Sequence, residues 1–144
     1  MLTLYRPTVR SAVFLSLYSD RVSAGFPSPA SDHKEKKIDL NEELIRHPDS
    51  TYLLRAQGNS MEGAGIYDGD LMIVDRSITP TDGAIVIAVV HGDLTVKRLK
   101  ITDDRYYGKV RVLAAEHPDY PDIPVQDDGC LIWGVVRHSV RDLV

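Results

Sequence analysis

Short apolar runs separated by turn residues dominate the chain from residue 51 onward. They predict strands at 52–56, 71–75, 84–90, 94–101, 107–113 and 131–138. The tripeptide His91-Gly92-Asp93, between two of these runs, is typical of a hairpin loop. Several short strands at close spacing predict a mostly β, antiparallel architecture.

One short helix is predicted ahead of these strands. Asp39 is a typical N-cap residue, and Glu42 stands three positions later, as in a capping box. The His47-Pro48 step predicts that the helix ends near Arg46, because the residue before a proline avoids the helical conformation.

The first 38 residues have a different pattern from the remainder. Apolar residues are scattered there without a sustained period, and residues 27–37 are rich in proline, serine and charge, as in a linker. We therefore expect a flexible N-terminal arm and linker at 1–38 and a β-rich domain at 39–144.

Composition and charge limit the classes of protein that remain. The chain has 144 residues, enough for one domain with a core, and a net charge of −4, which disfavours a protein that binds nucleic acid through a basic surface. One cysteine, Cys130, cannot form an internal disulfide, and its apolar neighbours predict a buried thiol. No apolar run reaches the length of a membrane span.

A secretory signal is the main rival interpretation of the arm. Arginines precede a short apolar stretch at 12–17, and Val22-Ser23-Ala24 imitates a small-x-small cleavage site. Polar residues interrupt the apolar stretch, and Asp20-Arg21 follow it, so the pattern disfavours a signal. Ala24-Gly25 is also a bond that threads easily into a narrow protease groove, since little side chain surrounds it.

A glycine-rich loop is the strongest candidate for chemistry. It runs from Gly58-Asn59-Ser60-Met61 to Asp68-Gly69-Asp70 and leads into an apolar run at Leu71. Glycines permit turns that expose the Ser60 hydroxyl and direct successive amides into one space, as acyl transfer requires. The alternative is an ordinary surface turn.

A nucleophilic serine needs a base, and the histidines do not single one out. They are scattered through loops and strand ends and show no metal-ligand spacing: His33, His47, His91, His117 and His138. A Ser-His-Asp triad stays open at this point. His117-Pro118-Asp119 and Asp127-Asp128 are predicted to be turns.

Lysine is the other candidate base. Alternation in the run 94–101 places Lys97 on one strand face with Leu99 and Ile101. Apolar surroundings lower the pKa of a lysine, and neutral lysine can accept the proton of a serine. The competing interpretation is a solvent-facing strand lysine, beside the cations Arg98 and Lys100.

Taken together, these residues resemble the self-cleaving LexA/UmuD family of serine peptidases. The motifs that match are Gly58-Asn59-Ser60-Met61, the Asp68-Gly69-Asp70 turn and Val96-Lys97-Arg98-Leu99. Ala24-Gly25 matches the family's scissile bond between a small residue and glycine. The resemblance implies a LexA/UmuD-like (signal-peptidase-like) β fold.

The resemblance also implies a mechanism. Ser60 and Lys97 would be the catalytic pair, the backbone amides of Asn59 and Ser60 would form the oxyanion hole, and Ala24-Gly25 would be the cleavage site. No metal or organic cofactor is implied, and the protein would be a cytoplasmic homodimer.

The branch of the family follows from the length of the arm. Only 24 residues precede the cleavage site, fewer than a helix-turn-helix domain needs, so the chain is similar to the UmuD/MucA-type SOS mutagenesis proteins. UmuD itself has cysteine where this chain has Ala24. This branch implies cleavage promoted by a RecA–single-stranded DNA filament, after which the truncated protein joins a UmuC-like Y-family DNA polymerase in translesion synthesis. Direct specific DNA binding and membrane association are not expected.

Three other functions remain as alternatives. One is a non-catalytic interaction module of the same fold. Another is a type I signal-peptidase relative, which normally needs a membrane anchor, and the third is a LexA-like repressor fragment.

Overall fold

The computed structural model describes residues 4–5, 12–18, 21–26, 34–125 and 130–144. The chain divides into two compact units, one formed by residues 1–7 and 47–144 and the other by residues 8–46. The predicted Asp127-Asp128 turn and the linker positions 27–33 lie outside the described residues.

The larger unit is built on an antiparallel sheet. Within the described residues its strands follow the order β1-β4-β5-β10-β6-β7-β8-β9. Their bounds are β1 Leu4–Tyr5, β4 Thr51–Arg55, β5 Leu71–Asp75, β6 Ile85–Val90, β7 Asp93–Asp104, β8 Gly108–Ala114, β9 Ile123–Pro124 and β10 Cys130–Val140. The mostly β prediction is confirmed, and the loop between β6 and β7 is a tight hairpin turn at His91-Gly92.

Two apolar clusters form the core on the two faces of this sheet. Val86 belongs to one cluster and its neighbour Ile87 to the other, because successive strand side chains point to opposite faces. The first contains Leu54, Ala56, Met61, Ile66, Met72, Val74, Ile87 and Val96, and the second Val86, Ala88, Leu99, Leu113 and Val135. Strands covered on both faces explain the continuous apolar runs of the sequence.

Strand β10 crosses the centre of the sheet and requires glycine there. A Cβ atom on Gly134 would lie 2.7 Å from Val74 Cγ1 of β5. The register of β10 against β6 also shifts between Ile132 and Gly134, so the strand bends at this point. Cys130, at the start of β10, is half-buried against the second cluster, and burial raises the pKa of its thiol, as predicted for a core residue.

The smaller unit contains strands that the sequence analysis does not assign. Strand β2 (Phe14–Tyr18) pairs antiparallel with β3 (Lys34–Asp39), and helix α1 (Leu40–Leu44) follows directly. The charged run at 34–37 is thus part of a strand, although its composition is typical of a solvated linker. The prediction of a linker differs from the observed strand because β3 is formed by pairing with β2, and the local sequence pattern does not encode pairing with a distant segment.

Helix α1 confirms the predicted start and corrects the end. The Asp39 carboxylate accepts a hydrogen bond from the amide of Asn41 at 3.1 Å, as an N-cap should. The helix ends at Leu44, two residues before the predicted boundary, and Ile45 is already extended.

Candidate active site

The serine loop follows β4 directly and is held at its base by the Asp68-Gly69-Asp70 turn. The Asp68 carboxylate accepts a hydrogen bond from the amide of Gly58 at 2.8 Å. Ala56 donates to the carbonyl of Asp70 at 2.9 Å and accepts from the amide of Gly69 at 2.8 Å. The aspartate and glycine residues of this turn therefore fix the path of the chain just before Ser60.

The other end of the loop is fixed by burial. Met61 is 2% exposed and belongs to the first core cluster, and a single 3₁₀ turn at Glu62–Ala64 follows it. Gly58 and Gly65 both have positive φ angles, of 91° and 83°, which a residue with a side chain rarely adopts. Ser60 is thus held between a bonded glycine and a buried methionine.

The backbone amides of Asn59 and Ser60 are the candidate donors for an oxyanion. In the part of the chain that the structure describes, the amides of Asn59 and Ser60 have no hydrogen-bond acceptor, whereas those of Gly58 and Glu62 do. Free amide donors next to a serine hydroxyl can stabilise a developing oxyanion.

Buried Asp70 supports this loop from below. Its carboxylate accepts hydrogen bonds from the amide of Tyr67 at 2.9 Å and from Ser139 Oγ at 3.1 Å. The Arg141 guanidinium lies over the Tyr67 ring, 3.9 Å from its centroid. These contacts connect the loop to the end of β10.

Lys97 lies on β7 and is buried. It pairs with Val86 of β6, shares a strand face with buried Leu99, and is itself only 7% exposed. Loss of hydration disfavours the ammonium form, so burial lowers the pKa of Lys97 below its ordinary value. The predicted apolar environment of this lysine is therefore present, and the solvent-facing interpretation is wrong.

One segment, residues 116–120, contacts both candidate catalytic residues. The amide of Glu116 donates to the carbonyl of Ser60 at 2.8 Å. The hydroxyl of Tyr120 donates to Asn59 Oδ1 at 3.2 Å, while Lys97 Nζ lies 5.4 Å from the centre of the Tyr120 ring. Within the described residues no hydrogen bond joins Ser60 to Lys97. The two residues are instead connected through the 116–120 segment, which contacts each of them.

The role of this segment is not visible in the sequence pattern. The pattern predicts a turn at His117-Pro118-Asp119, which is confirmed by hydrogen bonds to His117 from the amides of Asp119 and Tyr120. Glu116 also forms an ion pair with Arg98, the residue after Lys97. The sequence contains no local signal for these contacts, because they join positions more than fifteen residues apart.

Gly63 limits how the segment can lie against the serine loop. A Cβ atom on Gly63 would be 2.9 Å from the carbonyl oxygen of Glu116. We expect Gly63→Ala to displace residues 116–120 and to slow any reaction at Ser60 by roughly tenfold to a hundredfold.

Gly92→Ala is the matched control for Gly63→Ala. Gly92 has a φ angle of 85° in the distant β6–β7 hairpin, so this variant is also strained. Both variants should lower the urea midpoint of unfolding, whereas only Gly63→Ala should change the rate. Equal rates in the two variants would contradict the prediction.

A cluster of serine, histidine and aspartate also exists, but its geometry is structural. Buried Asp75, at the end of β5, lies 2.5 Å from His47 Nδ1 and accepts hydrogen bonds from Ser50 Oγ and Ser77 Oγ. Ser77 Oγ lies 3.3 Å from His47 Nδ1, the same nitrogen that contacts Asp75, whereas in a triad the serine and the carboxylate bond to opposite nitrogens of the imidazole. The cluster instead attaches the segment entering β4 to β5.

The predicted scissile residues lie in the smaller unit. Ala24 and Gly25 form an exposed bend between β2 and β3, flanked by Val22 and Phe26, which are 96% and 90% exposed.

No group of three or more side chains that could hold a metal ion occurs among the described residues. Among the described residues, no helix is long and apolar enough to cross a membrane; α1 has only five residues.

Comparison with known proteins agrees with the motifs. The chain is 41% identical to the protein MucA of Escherichia coli over 128 residues, which cover 88% of this chain and 84% of MucA. It is 43% identical to the protein SamA of Salmonella typhimurium over 126 residues, covering 87% of this chain and 84% of SamA. It is also 43% identical to the LexA repressor of Acidithiobacillus ferrooxidans over 125 residues, or 84% of this chain and 58% of the repressor.

The match to the Peptidase S24-like family spans residues 16–137 and so includes the serine loop, Lys97, the 116–120 segment and the predicted cleavage site. The resemblance to UmuD/MucA-type proteins found in the sequence is thereby confirmed. The chain belongs to the S24-like peptidase family.

Proposed function

We propose that this protein is a serine peptidase that cleaves its own chain between Ala24 and Gly25. The observation that carries the proposal is the pairing of an exposed serine loop with a buried lysine of lowered pKa, both in contact with the 116–120 segment. A lysine that loses its proton easily can serve as the base for a serine nucleophile.

The reaction begins with Ser60 and ends with its regeneration. Neutral Lys97 accepts the proton of Ser60 as Oγ bonds to the carbonyl carbon of Ala24, and the amides of Asn59 and Ser60 bind the oxyanion. The C–N bond to Gly25 then breaks, and Lys97 gives its proton to the leaving amine. Lys97 next takes a proton from water, which attacks the acyl-enzyme, and Ser60 recovers its proton when the ester breaks.

In the proposed reaction, docking of the bend at Ala24-Gly25 places the Ala24 carbonyl next to Ser60 and Lys97. Hydrogen bonds of catalytic residues often form only in the reactive complex, so contact between Ser60 and Lys97 belongs to that state. The bend is exposed and outside strands, so it needs little unfolding to enter the site. A bond carried by the same protein, or by a dimer partner, needs no strong substrate affinity.

The relatives support a proposal for the cellular role. The chain is 41% identical to MucA and 43% identical to SamA, and each alignment covers 84% of the relative. We propose an accessory protein of SOS error-prone translesion synthesis, with a flexible arm and linker at residues 1–38 from which cleavage at Ala24-Gly25 removes residues 1–24. Its partners would be a RecA–single-stranded DNA filament, a UmuC-like Y-family polymerase and, in a cytoplasmic homodimer, a second copy.

The proposal is tested by the pH dependence of self-cleavage. Only neutral Lys97 can accept a proton, and its lowered pKa means that the neutral form accumulates below the pH of about 10.4 at which an ordinary lysine titrates. The rate should therefore rise with pH and reach its plateau below that value. Intact-mass spectrometry of the purified chain should show a fragment beginning at Gly25.

A parallel set of samples tests the activator. RecA, an ATP analogue and single-stranded DNA at neutral pH should produce the same fragment by favouring the docked state. A chain that stays whole at every pH and with the filament would refute the peptidase and favour a non-catalytic interaction module.

A further inference from the structure

We propose that Tyr120 is a positioning residue of the Ser60–Lys97 site and that its ring favours the protonated form of Lys97, which restrains self-cleavage at neutral pH. Tyr120 ends the 116–120 segment, and its side chain contacts both the serine loop and the lysine. The effect on the rate rests on the proposed self-cleavage, whereas the effect on the ionisation of Lys97 does not.

The ring of Tyr120 is placed to interact with a cation. Lys97 Nζ lies 5.4 Å from the ring centroid, within the distance of about 6 Å at which an aromatic ring attracts an ammonium group. Only the charged form of the lysine gains this attraction, and the attraction is stronger where water is excluded. Lys97 is such a buried group, so the ring opposes the effect of burial, which disfavours the ammonium form.

No charged partner takes the place of the ring among the described residues. Burial is the one cause that lowers the pKa of Lys97, and the residue opposite it on β6 is the apolar Val86. The charged and titratable side chains on the elements nearby pair with one another or are exposed: Arg98 pairs with Glu116, His117 with Asp119, and Glu62 of the serine loop is exposed. The ionisation of Lys97 is therefore set by burial and by the Tyr120 ring.

The hydroxyl of Tyr120 has a separate role. It donates to Asn59 Oδ1 at 3.2 Å, and the backbone amide of Asn59 is a candidate oxyanion donor. This hydrogen bond restrains the residue before Ser60. The ring thus acts on the pH at which the base becomes neutral, and the hydroxyl acts on the rate once the base is neutral.

Tyr120→Leu distinguishes attraction by the ring from simple burial. Leucine still covers Lys97 with apolar atoms but has no aromatic face, so the midpoint of the pH–rate profile should move about 0.5–1 pH unit lower. A ring that only excluded water would have the opposite effect, because its loss would hydrate Lys97 and raise the pKa. Intact-mass spectrometry of self-cleavage across the pH range measures the midpoint and the plateau.

Tyr120→Phe keeps the ring and removes the hydroxyl. Its midpoint should stay within about 0.2 pH unit of wild type, while its plateau rate should fall by roughly twofold to tenfold. At pH 7 the Tyr120→Leu chain should cleave about threefold to tenfold faster than Tyr120→Phe, which also lacks the hydroxyl. Tyr107→Leu, which removes an 84% exposed ring between β7 and β8, is the matched control and should change neither quantity.

A titration that needs no cleavage separates this inference from the proposed function. In the Ser60→Ala chain with isotope-labelled lysine, the NMR signal that is lost in Lys97→Ala reports the ionisation of Lys97. Adding Tyr120→Leu should lower its titration midpoint, and adding Tyr107→Leu should not. An unchanged or raised midpoint in the Tyr120→Leu chain would overturn the role of the ring. A lowered midpoint would support that role even if wild type never cleaves, a result that refutes the peptidase.

Discussion

Ser60→Ala and Lys97→Ala are each expected to reduce self-cleavage by roughly 10³-fold or more. The first substitution removes the nucleophile and the second removes the base, so neither leaves a complete reaction path. Ser60 is only partly buried, and its replacement removes one hydroxyl, so the fold should be retained. The measurement is the time course of fragment formation by intact mass at the pH of maximal wild-type rate.

Lys100→Ala is the matched control for the lysine variant. Lys100 lies on the same strand, three residues from Lys97, and is exposed. The substitution of Lys100 removes one positive charge and leaves buried Lys97 unchanged, so the rate of self-cleavage should stay within about twofold of wild type. A Lys97→Ala chain that cleaves at the rate of Lys100→Ala would eliminate lysine as the base.

Asp75→Ala is expected to lower the free energy of unfolding by about 2–4 kcal/mol, because buried hydrogen-bond donors lose their acceptor. The carboxylate is fully buried and accepts hydrogen bonds from Ser50 Oγ at 2.9 Å and from the amide and hydroxyl of Ser77 at 2.8 and 2.7 Å. Urea unfolding of both chains at pH 7 measures the difference. Asp103→Ala, an exposed carboxylate on β7, is the control and should change stability by less than about 0.5 kcal/mol.

The same comparison at low pH tests the ionisation of Asp75. Burial alone would raise the pKa of this carboxyl, but the hydrogen bonds from Ser77, His47 and Ser50 outweigh it and hold the pKa well below its ordinary value. A folded-state pKa below the unfolded value of about 3.9 contributes stability that is complete above that pH and is lost as pH falls further. The advantage of wild type over Asp75→Ala should therefore shrink below about pH 4. A difference that does not depend on pH would contradict it.

The serine loop shows how a local motif acquires its function through distant contacts. The sequence identifies Gly58 and the Asp68-Gly69-Asp70 turn as parts of one glycine-rich loop. The structure shows that the turn bonds back to the residues before Ser60, at Ala56 and Gly58. The turn is therefore a support for the loop, a role that spacing alone does not reveal.

The two strands of the arm illustrate the limit of pattern analysis. Strand β3 contains Lys34, Lys36 and Lys37, and its composition predicts solvated coil, yet it pairs with β2 across some twenty residues. Strand β1 is too short to have a period, yet it joins the edge of the large sheet. Both exist because a partner strand supplies hydrogen bonds that the local sequence does not encode.

The sequence by itself determined the mostly β architecture, the N-cap at Asp39, the turn glycines and the apolar surroundings of Lys97. Each of these depends on interactions between residues a few positions apart, or on alternation along one strand. Only the tertiary structure decided that residues 116–120 contact Ser60, Asn59 and Lys97, that Asp75 holds the entry to β4, and that β1 covers the edge of β4. These contacts join residues 23 to 61 positions apart or pair distant strands, and such pairings are set by the packing of the whole sheet.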